Sequence, residues 1–123
     1  MQNAIPIPKW KKITLFNEET KTRKEFTQKT ITIGRSKDRN FRLTEENIKV
    51  SGNHCSIIQD KSGVRVQDDN SMNGTHVNKR KKLSKGESTQ LKNGDKILLW
   101  GYTLEVLFED EVLQTKKITI IKS

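Results

Sequence analysis

Hydrophobic and polar residues alternate with a period of two along several short stretches of this 123-residue chain. The clearest alternation covers residues 12–16, 30–33, 63–67 and 102–108, and fuller apolar runs occur at residues 55–58 and 97–100. Alternation places successive side chains on opposite faces of a strand, whereas an apolar run is typical of a strand between two packed layers. Turn signals rich in Gly, Asn and Asp separate these stretches. The pattern therefore predicts an all-β protein, an antiparallel β-sandwich of many short strands.

Three segments depart from this pattern. Residues 44–47 are the one stretch that predicts a helical turn. Residues 1–10 hold both prolines, and we expect them to form a flexible N-terminal segment ahead of one domain at residues 11–123. The tail at residues 116–121 alternates enough to form a last strand, or it begins a linker.

Charge and cysteine content narrow the class of protein. Lys and Arg number 24 against 15 Asp and Glu, and the net charge of +9 points to an anionic partner. The single cysteine, Cys55, excludes an internal disulfide framework and favours a reducing compartment, the nucleus and/or the cytoplasm. No apolar run approaches the ~18 residues of a membrane span, and no stretch resembles a signal peptide.

Catalytic and metal-binding motifs are missing from the sequence. We find no nucleophile elbow, no metal-ligand spacing and no phosphate-binding glycine loop ahead of a helix. We therefore expect no enzymatic activity, no metal and no cofactor in this domain. Trp10 and Trp100 are expected to pack in the core or at its rim.

Short polar motifs lie beside the predicted strands, where a sandwich displays its functional loops. In chain order they are Gly34-Arg35, Ser51-Gly52-Asn53-His54, Ser71-Met72-Asn73-Gly74-Thr75, Asn78 and Asn93-Gly94-Asp95. Each motif alone is weakly specific, but this order and spacing resemble the core pattern of the forkhead-associated (FHA) domain, over residues 31–108. The resemblance implies an FHA/SMAD-like sandwich of about eleven strands that binds phosphothreonine peptides with loops at one end.

The resemblance also implies roles for individual residues. Those expected to bind the phosphate are Arg35, Ser51 and Gly52. Asn73 would bind the main chain of the peptide. The residues expected to support the ligand loops are Gly34, His54, Gly74 and Asn78. The physical chemistry agrees, because a phosphothreonine carries about −1.5 to −2 charges and three acceptor oxygens, which suit the planar fork of Arg35.

Two positions depart from the family pattern. Gly52 stands where an Arg or Asn often reaches the phosphate, and Met72 stands where a Thr or Ser often bonds it. We therefore expect the phosphate site to depend on Arg35 and Ser51, with help from Lys37 or Lys49. Ligand specificity is assigned to Lys49, Met72 and Lys37. Lys49 is predicted to favour an acidic residue three positions after the phosphothreonine.

Basic runs at residues 9–12, 21–24 and 79–82 supply much of the net charge. They are either a solvated surface, a field that steers an acidic phosphopeptide, or a nucleic-acid-binding surface. Only 6% of residues are aromatic and no nucleic-acid-binding motif is present, so nucleic acid is not the expected partner. An FHA-like scaffold that binds a protein surface without phosphate is a further alternative.

The resemblance suggests that the domain is part of a larger signalling protein. Checkpoint-type and meiotic protein kinases, and proteins of the DNA-damage response, carry similar domains. The expected partner is a phosphothreonine-containing protein or peptide, with no membrane involved. Phosphorylation-dependent self-association stays open.

Overall fold

The computed structural model describes residues 10–43 and 49–109, which form eleven β-strands and no helix. The strands are β1 Ile13–Asn17, β2 Thr22–Phe26, β3 Thr30–Gly34, β4 Phe41–Arg42, β5 Cys55–Asp60, β6 Gly63–Asp68, β7 Thr75–Val77, β8 Lys81–Leu83, β9 Ser88–Gln90, β10 Lys96–Leu99 and β11 Tyr102–Phe108. The predicted all-β class and the eleven strands implied by the resemblance are confirmed. The helical turn at residues 44–47, most of the N-terminal segment and the tail strand lie outside the described residues.

The strands form two sheets. One has six strands in the order β2-β1-β11-β10-β7-β8, and the other has five in the order β4-β3-β5-β6-β9. All paired strands are antiparallel except β3 and β4, which run parallel. The parallel pair arises because residues 35–40 turn the chain back beside its own strand. The Asn40 side chain holds this turn: its Oδ1 accepts the Thr32 N–H at 2.9 Å, and the Asn40 N–H donates to Thr32 Oγ1 at 2.9 Å.

The core lies between the two sheets and follows the alternation of the sequence. Val64, Val66, Leu104 and Val106 are buried on the inner faces, while the residues between them are only partly buried. Burying a side chain of this size stabilises the fold by about 1.5–3 kcal/mol. Cys55 is fully buried in the same core, and burial raises the pKa of its thiol far above the ordinary value. None of the described residues belongs to a helix long and apolar enough to cross a bilayer.

The strand order separates the motif loops into two groups. Residues 35–40, 49–54 and 69–74 meet at one end of the sandwich, because β3 and β6 end there and β5 begins there. We call this the ligand end. The turn at residues 100–101 lies at the same end. β7 begins at the ligand end and pairs antiparallel with β10, with Leu98 opposite His76, so β10 ends there. Asn78 and residues 93–95 lie at the opposite end. The motifs that follow one another in the family pattern therefore lie at two different ends of the molecule.

Gly34 sits where the backbones of two ligand-end loops come closest. A Cβ at this position would overlap the carbonyl oxygen of Gly52 and would also approach the His54 backbone nitrogen. A side chain there would force the loop after β3 away from the loop before β5. Gly34 is therefore required by the close approach of the two loops.

Replacing Gly34 with alanine tests this packing. We expect Gly34→Ala to lower the free energy of unfolding in urea by about 1–3 kcal/mol, the usual cost of overpacking. Gly52→Ala is the matched control, because the added Cβ meets only the Ser36 hydroxyl, which can rotate. Equal losses in the two variants would contradict the role given to Gly34.

Candidate functional site

Arg35 is the first residue after β3, and neighbouring loops hold both its backbone and its side chain. Its N–H donates to the Ser51 carbonyl at 3.1 Å, and its Nε–H donates to the Val50 carbonyl at 2.9 Å. Its own carbonyl accepts from Arg42 Nε at 2.9 Å. Among the described residues, the bond to Val50 uses one of the five guanidinium N–H groups, and the four on the terminal nitrogens can bind an anion.

Ser51 joins the loop before β5 to the loop after β6. Its Oγ accepts the N–H of Met72 at 2.8 Å. That bond leaves the hydroxyl hydrogen of Ser51 available as a donor. Because Ser51 also accepts the Arg35 N–H through its carbonyl, the arginine and the serine hydroxyl belong to one rigid group of loops.

Ser36, in the loop after β3, lies directly beside Gly52. The Gly52 carbonyl accepts the Ser36 N–H at 3.2 Å, and a Cβ on Gly52 would lie 2.5 Å from Ser36 Oγ. Ser36 therefore adds a second hydroxyl next to Arg35. No role was predicted for Ser36 from the sequence, and its position directly after the arginine is the one signal that points to it.

His54 is fully buried and connects two ligand-end loops from behind. Its Nδ1 accepts the Ser51 N–H at 3.0 Å, so the proton lies on Nε2, which is 2.8 Å from the Gly74 carbonyl and donates to it. Burial lowers the pKa of His54, and the bond to Gly74 only partly opposes this effect. The neutral imidazole thus connects the Ser51 loop to the Gly74 carbonyl from inside the domain.

Asp68, the last residue of β6, organises the loop that carries Asn73. The carboxylate is fully buried and accepts the Ser71 N–H at 3.0 Å, the Ser71 hydroxyl and the Thr75 hydroxyl at 2.7 Å. Ser71 Oγ in turn accepts the Gly74 N–H at 2.9 Å. Asp68 was not predicted from the sequence. An Asp followed three residues later by a Ser is a local capping signal that indicates it.

Asn73 links its loop to the residue before Val50. Its Nδ2 donates to the Lys49 carbonyl at 2.9 Å, which leaves its Oδ1 exposed to a ligand. The ammonium of Lys49 lies 4.8 Å from the centroid of the Trp100 ring. Met72 is 86% exposed. Trp100 is 55% exposed, so of the two positions expected for it, the core or its rim, the core is excluded. It lies in the turn between β10 and β11.

The remaining predicted residues fall into two groups. Gly74 has φ +82°, a conformation that favours glycine, and lies in the same loop as Asn73. Lys37 is exposed in the loop after β3. Asn78 is not brought to the ligand end: its Oδ1 accepts the Lys96 N–H at 2.9 Å, which fixes the β7–β8 turn to β10.

The described residues include no group of three or more His, Cys, Asp and Glu side chains arranged to hold a metal ion. The ligand end instead presents guanidinium, hydroxyl, amide and backbone N–H groups. All of these are donors to an anion.

The buried His54 makes the stability of the domain depend on pH. An unfolded histidine takes up a proton as the pH falls through about 6.5, whereas the lowered pKa keeps His54 neutral in the folded state. The contribution of His54 to stability is therefore complete above pH 6.5 and is lost as the pH falls below it.

We expect the free energy of unfolding to fall between pH 6.5 and pH 5.5 by up to about 1 kcal/mol. Urea titrations across this range measure the change. His76→Gln is the control, because His76 is exposed and its removal should preserve the slope. A flat profile for the parent domain, or loss of the slope in His76→Gln, would remove the role of His54.

Both the sequence and the structure of this chain match those of known proteins. Residues 31–100 match the family model of the FHA domain. The chain is 40% identical over 87 residues to a probable serine/threonine-protein kinase, fhkA, of Dictyostelium discoideum, covering 64% of this chain and 14% of that protein's length.

Solved structures agree with this match. An FHA domain studied for phosphothreonine-dependent interactions is 29% identical, with a TM-score of 0.67 over 80% of this chain and 98% of that one. The FhaA FHA domain, solved with the intracellular domain of another protein, is 30% identical, with a TM-score of 0.65 over 76% and 98%. The N-terminal FHA domain of Rad53p from S. cerevisiae, bound to a phosphothreonine peptide, has the same fold at 20% identity, with a TM-score of 0.70 over 84% and 98%. This chain belongs to the FHA domain family, whose members are non-catalytic binding modules.

Proposed function

We propose that this domain binds phosphothreonine peptides at its ligand end. The observation that supports this function best is the coupling of Arg35 to Ser51 through a backbone bond of 3.1 Å. Two donors of different chemistry, a fixed guanidinium and a hydroxyl, are thereby held in one group of loops. A phosphate monoester needs this combination, since it has both negative charge and several acceptor oxygens.

The phosphate would be shared between charged and neutral donors. The terminal N–H groups of Arg35 would bind two oxygens at once, as the planar guanidinium allows. The hydroxyls of Ser51 and Ser36 and the backbone N–H of Gly52 would complete the shell. In this assignment Ser36 takes over the contact that a larger residue at position 52 makes in related sequences.

The peptide main chain would lie across the loop that carries Asn73. One amide hydrogen of Asn73 is used by the Lys49 carbonyl, and the free Oδ1 accepts a main-chain N–H from an extended ligand. Asp68 and Ser71 support this loop from below, so the amide is held in place before the ligand arrives. A preformed site loses less conformational entropy on binding than a disordered one.

Selectivity beyond the phosphothreonine is assigned to the exposed rim of the site. Lys49 would favour an acidic side chain three residues after the phosphothreonine. Met72 and Lys37 would contact other positions of the ligand, Met72 through apolar surface and Lys37 through charge. The stacking of Lys49 on Trp100 restrains its ammonium at the rim.

The domain is proposed to act within a larger signalling protein. This chain covers only 14% of the Dictyostelium kinase that it resembles, which agrees with a regulatory module beside a catalytic domain. A checkpoint-type or meiotic kinase active in the nucleus and/or the cytoplasm is our proposal for that parent. Binding of the domain to a phosphorylated copy of its own parent is a related proposal.

Removal of the Arg35 guanidinium tests the phosphate site. We expect Arg35→Ala to weaken binding of phosphothreonine peptides by about 10- to 100-fold, because charge-assisted hydrogen bonds contribute about 1.5–3 kcal/mol. Paired libraries of threonine and phosphothreonine peptides measure the effect. Arg65→Ala is the matched control, since Arg65 lies on β6 and bonds to Ser88.

Two outcomes would contradict the proposed function. One is equal binding of the threonine and phosphothreonine forms, which would favour a scaffold that recognises protein without phosphate. The other is unchanged binding in Arg35→Ala. Binding of Arg65→Ala should match the parent domain.

Replacement of Lys49 tests selectivity. In the parent domain we expect peptides with Asp or Glu three residues after the phosphothreonine to bind up to about fivefold more tightly than peptides with Ala there. Lys49→Met should abolish that preference and keep binding to the Ala peptide. Lys92→Met, at the opposite end, should keep the preference, and a library with no acidic preference in the parent domain would contradict the role of Lys49.

A further inference from the structure

The turn after β7 and the strand β8 carry four consecutive cationic residues, Lys79 to Lys82, which we call the basic strip. All four are exposed. In the part of the chain that the structure describes, none of their side chains makes a hydrogen bond, an ion pair or a ring contact. The basic strip therefore carries four positive charges that no acidic side chain of the described residues neutralises.

The other basic runs differ in this respect. Lys12 pairs with Glu25 at 3.8 Å, and Lys11 bonds to the Glu109 carbonyl. Lys24 bonds to the Asn40 carbonyl, and Arg23 stacks on the Phe16 ring. Side chains in both of these runs take part in the internal structure of the domain, whereas those of the basic strip do not.

Lys82 connects the basic strip to the ligand end. A Cβ on Gly74 would lie 2.7 Å from Lys82 Cε and 3.6 Å from its Cγ, so the Lys82 side chain covers Gly74. Gly74 directly follows Asn73, the residue proposed to bind the peptide main chain. From there the strip runs along the edge strand of the six-stranded sheet for the length of β7, which is about 10 Å at 3.3 Å per residue.

We propose that the basic strip binds an acidic segment of the same phosphoprotein that the phosphate site recognises. This inference rests on the proposed function and adds a second region of contact to it. An extended peptide needs roughly three to five residues to reach from the phosphate site to the turn after β7. The ligand is therefore a phosphothreonine followed or preceded, at that spacing, by a cluster of Asp, Glu or further phosphorylated residues.

The continuity with Asn73 favours a peptide over a nucleic acid as the occupant. Lys82 lies over the loop that holds the ligand main chain, so a bound peptide passes the end of the basic strip. A negative segment on that peptide gains attraction from several cations at once, and the attraction falls with added salt.

The test uses a double charge reversal and a matched control. Arg80→Glu/Lys81→Glu changes two residues of the strip that touch no part of the phosphate site. Lys61→Glu/Lys92→Glu makes the same change of charge at exposed positions outside the strip, in the β5–β6 turn and the β9–β10 turn. The probes are a short phosphothreonine peptide and the same peptide with four Asp residues placed after a four-residue neutral spacer on either side.

We expect the parent domain to bind one of the two acid-extended peptides about tenfold more tightly than the short peptide in 50 mM salt. The Arg80→Glu/Lys81→Glu variant should lose this gain while it binds the short peptide as the parent does. The Lys61→Glu/Lys92→Glu control should keep most of the gain. In 500 mM salt the gain should disappear for the parent domain.

Three outcomes would overturn the inference. The first is that neither extension tightens binding, and the second is that the control loses the gain as fully as the strip variant. The third is that a 20-base-pair DNA duplex of random sequence displaces the acid-extended peptide from the basic strip, which would assign the strip to nucleic acid. Failure of the short phosphopeptide itself to bind would instead contradict the proposed function, so the two failures are distinguishable.

Discussion

The ligand end depends on one buried carboxylate. Asp68 accepts hydrogen bonds from the Ser71 N–H and from the hydroxyls of Ser71 and Thr75, in a position without solvent access. A buried charge of this kind is tolerated only when its acceptor sites are filled. The loop between β6 and β7 can therefore adopt very few shapes, because any other shape would leave the carboxylate without partners. Because Asn73 lies in this loop, the hydrogen bonds of Asp68 also fix the position of Asn73.

The surrounding loops are joined to that loop by single hydrogen bonds. Ser51 Oγ receives the Met72 N–H, the Lys49 carbonyl receives Asn73 Nδ2, and His54 spans the Ser51 N–H and the Gly74 carbonyl. Each such bond contributes only about 1 kcal/mol. Together they fix the geometry of the recognition surface before any ligand is present. The apolar core between the two sheets stabilises the fold, and the polar network determines the conformation of the ligand-end loops.

Sequence reasoning found the strands because alternation is a local property. Residues 63–67 and 102–108 alternate clearly, and both form strands close to the expected bounds. The order of the motifs along the chain led to the prediction that Arg35, Ser51 and Asn73 are site residues. The family pattern by itself does not say which motifs share one end of a sandwich, and Asn78 proved to lie at the other end, bonded to Lys96.

Contacts between residues that are far apart in the sequence were not predicted. Ser36 and Lys82 matter because they cover Gly52 and Gly74, and a contact to a glycine leaves no trace in a hydrophobicity pattern. Trp100 was expected in the core or at its rim, and it lies in an exposed turn against the Lys49 ammonium. Asp68 had a local signal in Ser71, but its burial follows from the pairing of β6 with β5 and β9.

The buried thiol of Cys55 has a practical consequence for experiments on this domain. It is the only cysteine of the chain, and its raised pKa and lack of exposure keep the reactive thiolate form scarce. A cysteine introduced at an exposed loop would therefore be the single site that reacts with a maleimide dye or spin label. Because Cys55 does not react, one introduced cysteine is enough to label the domain specifically for spectroscopic measurements of loop motion.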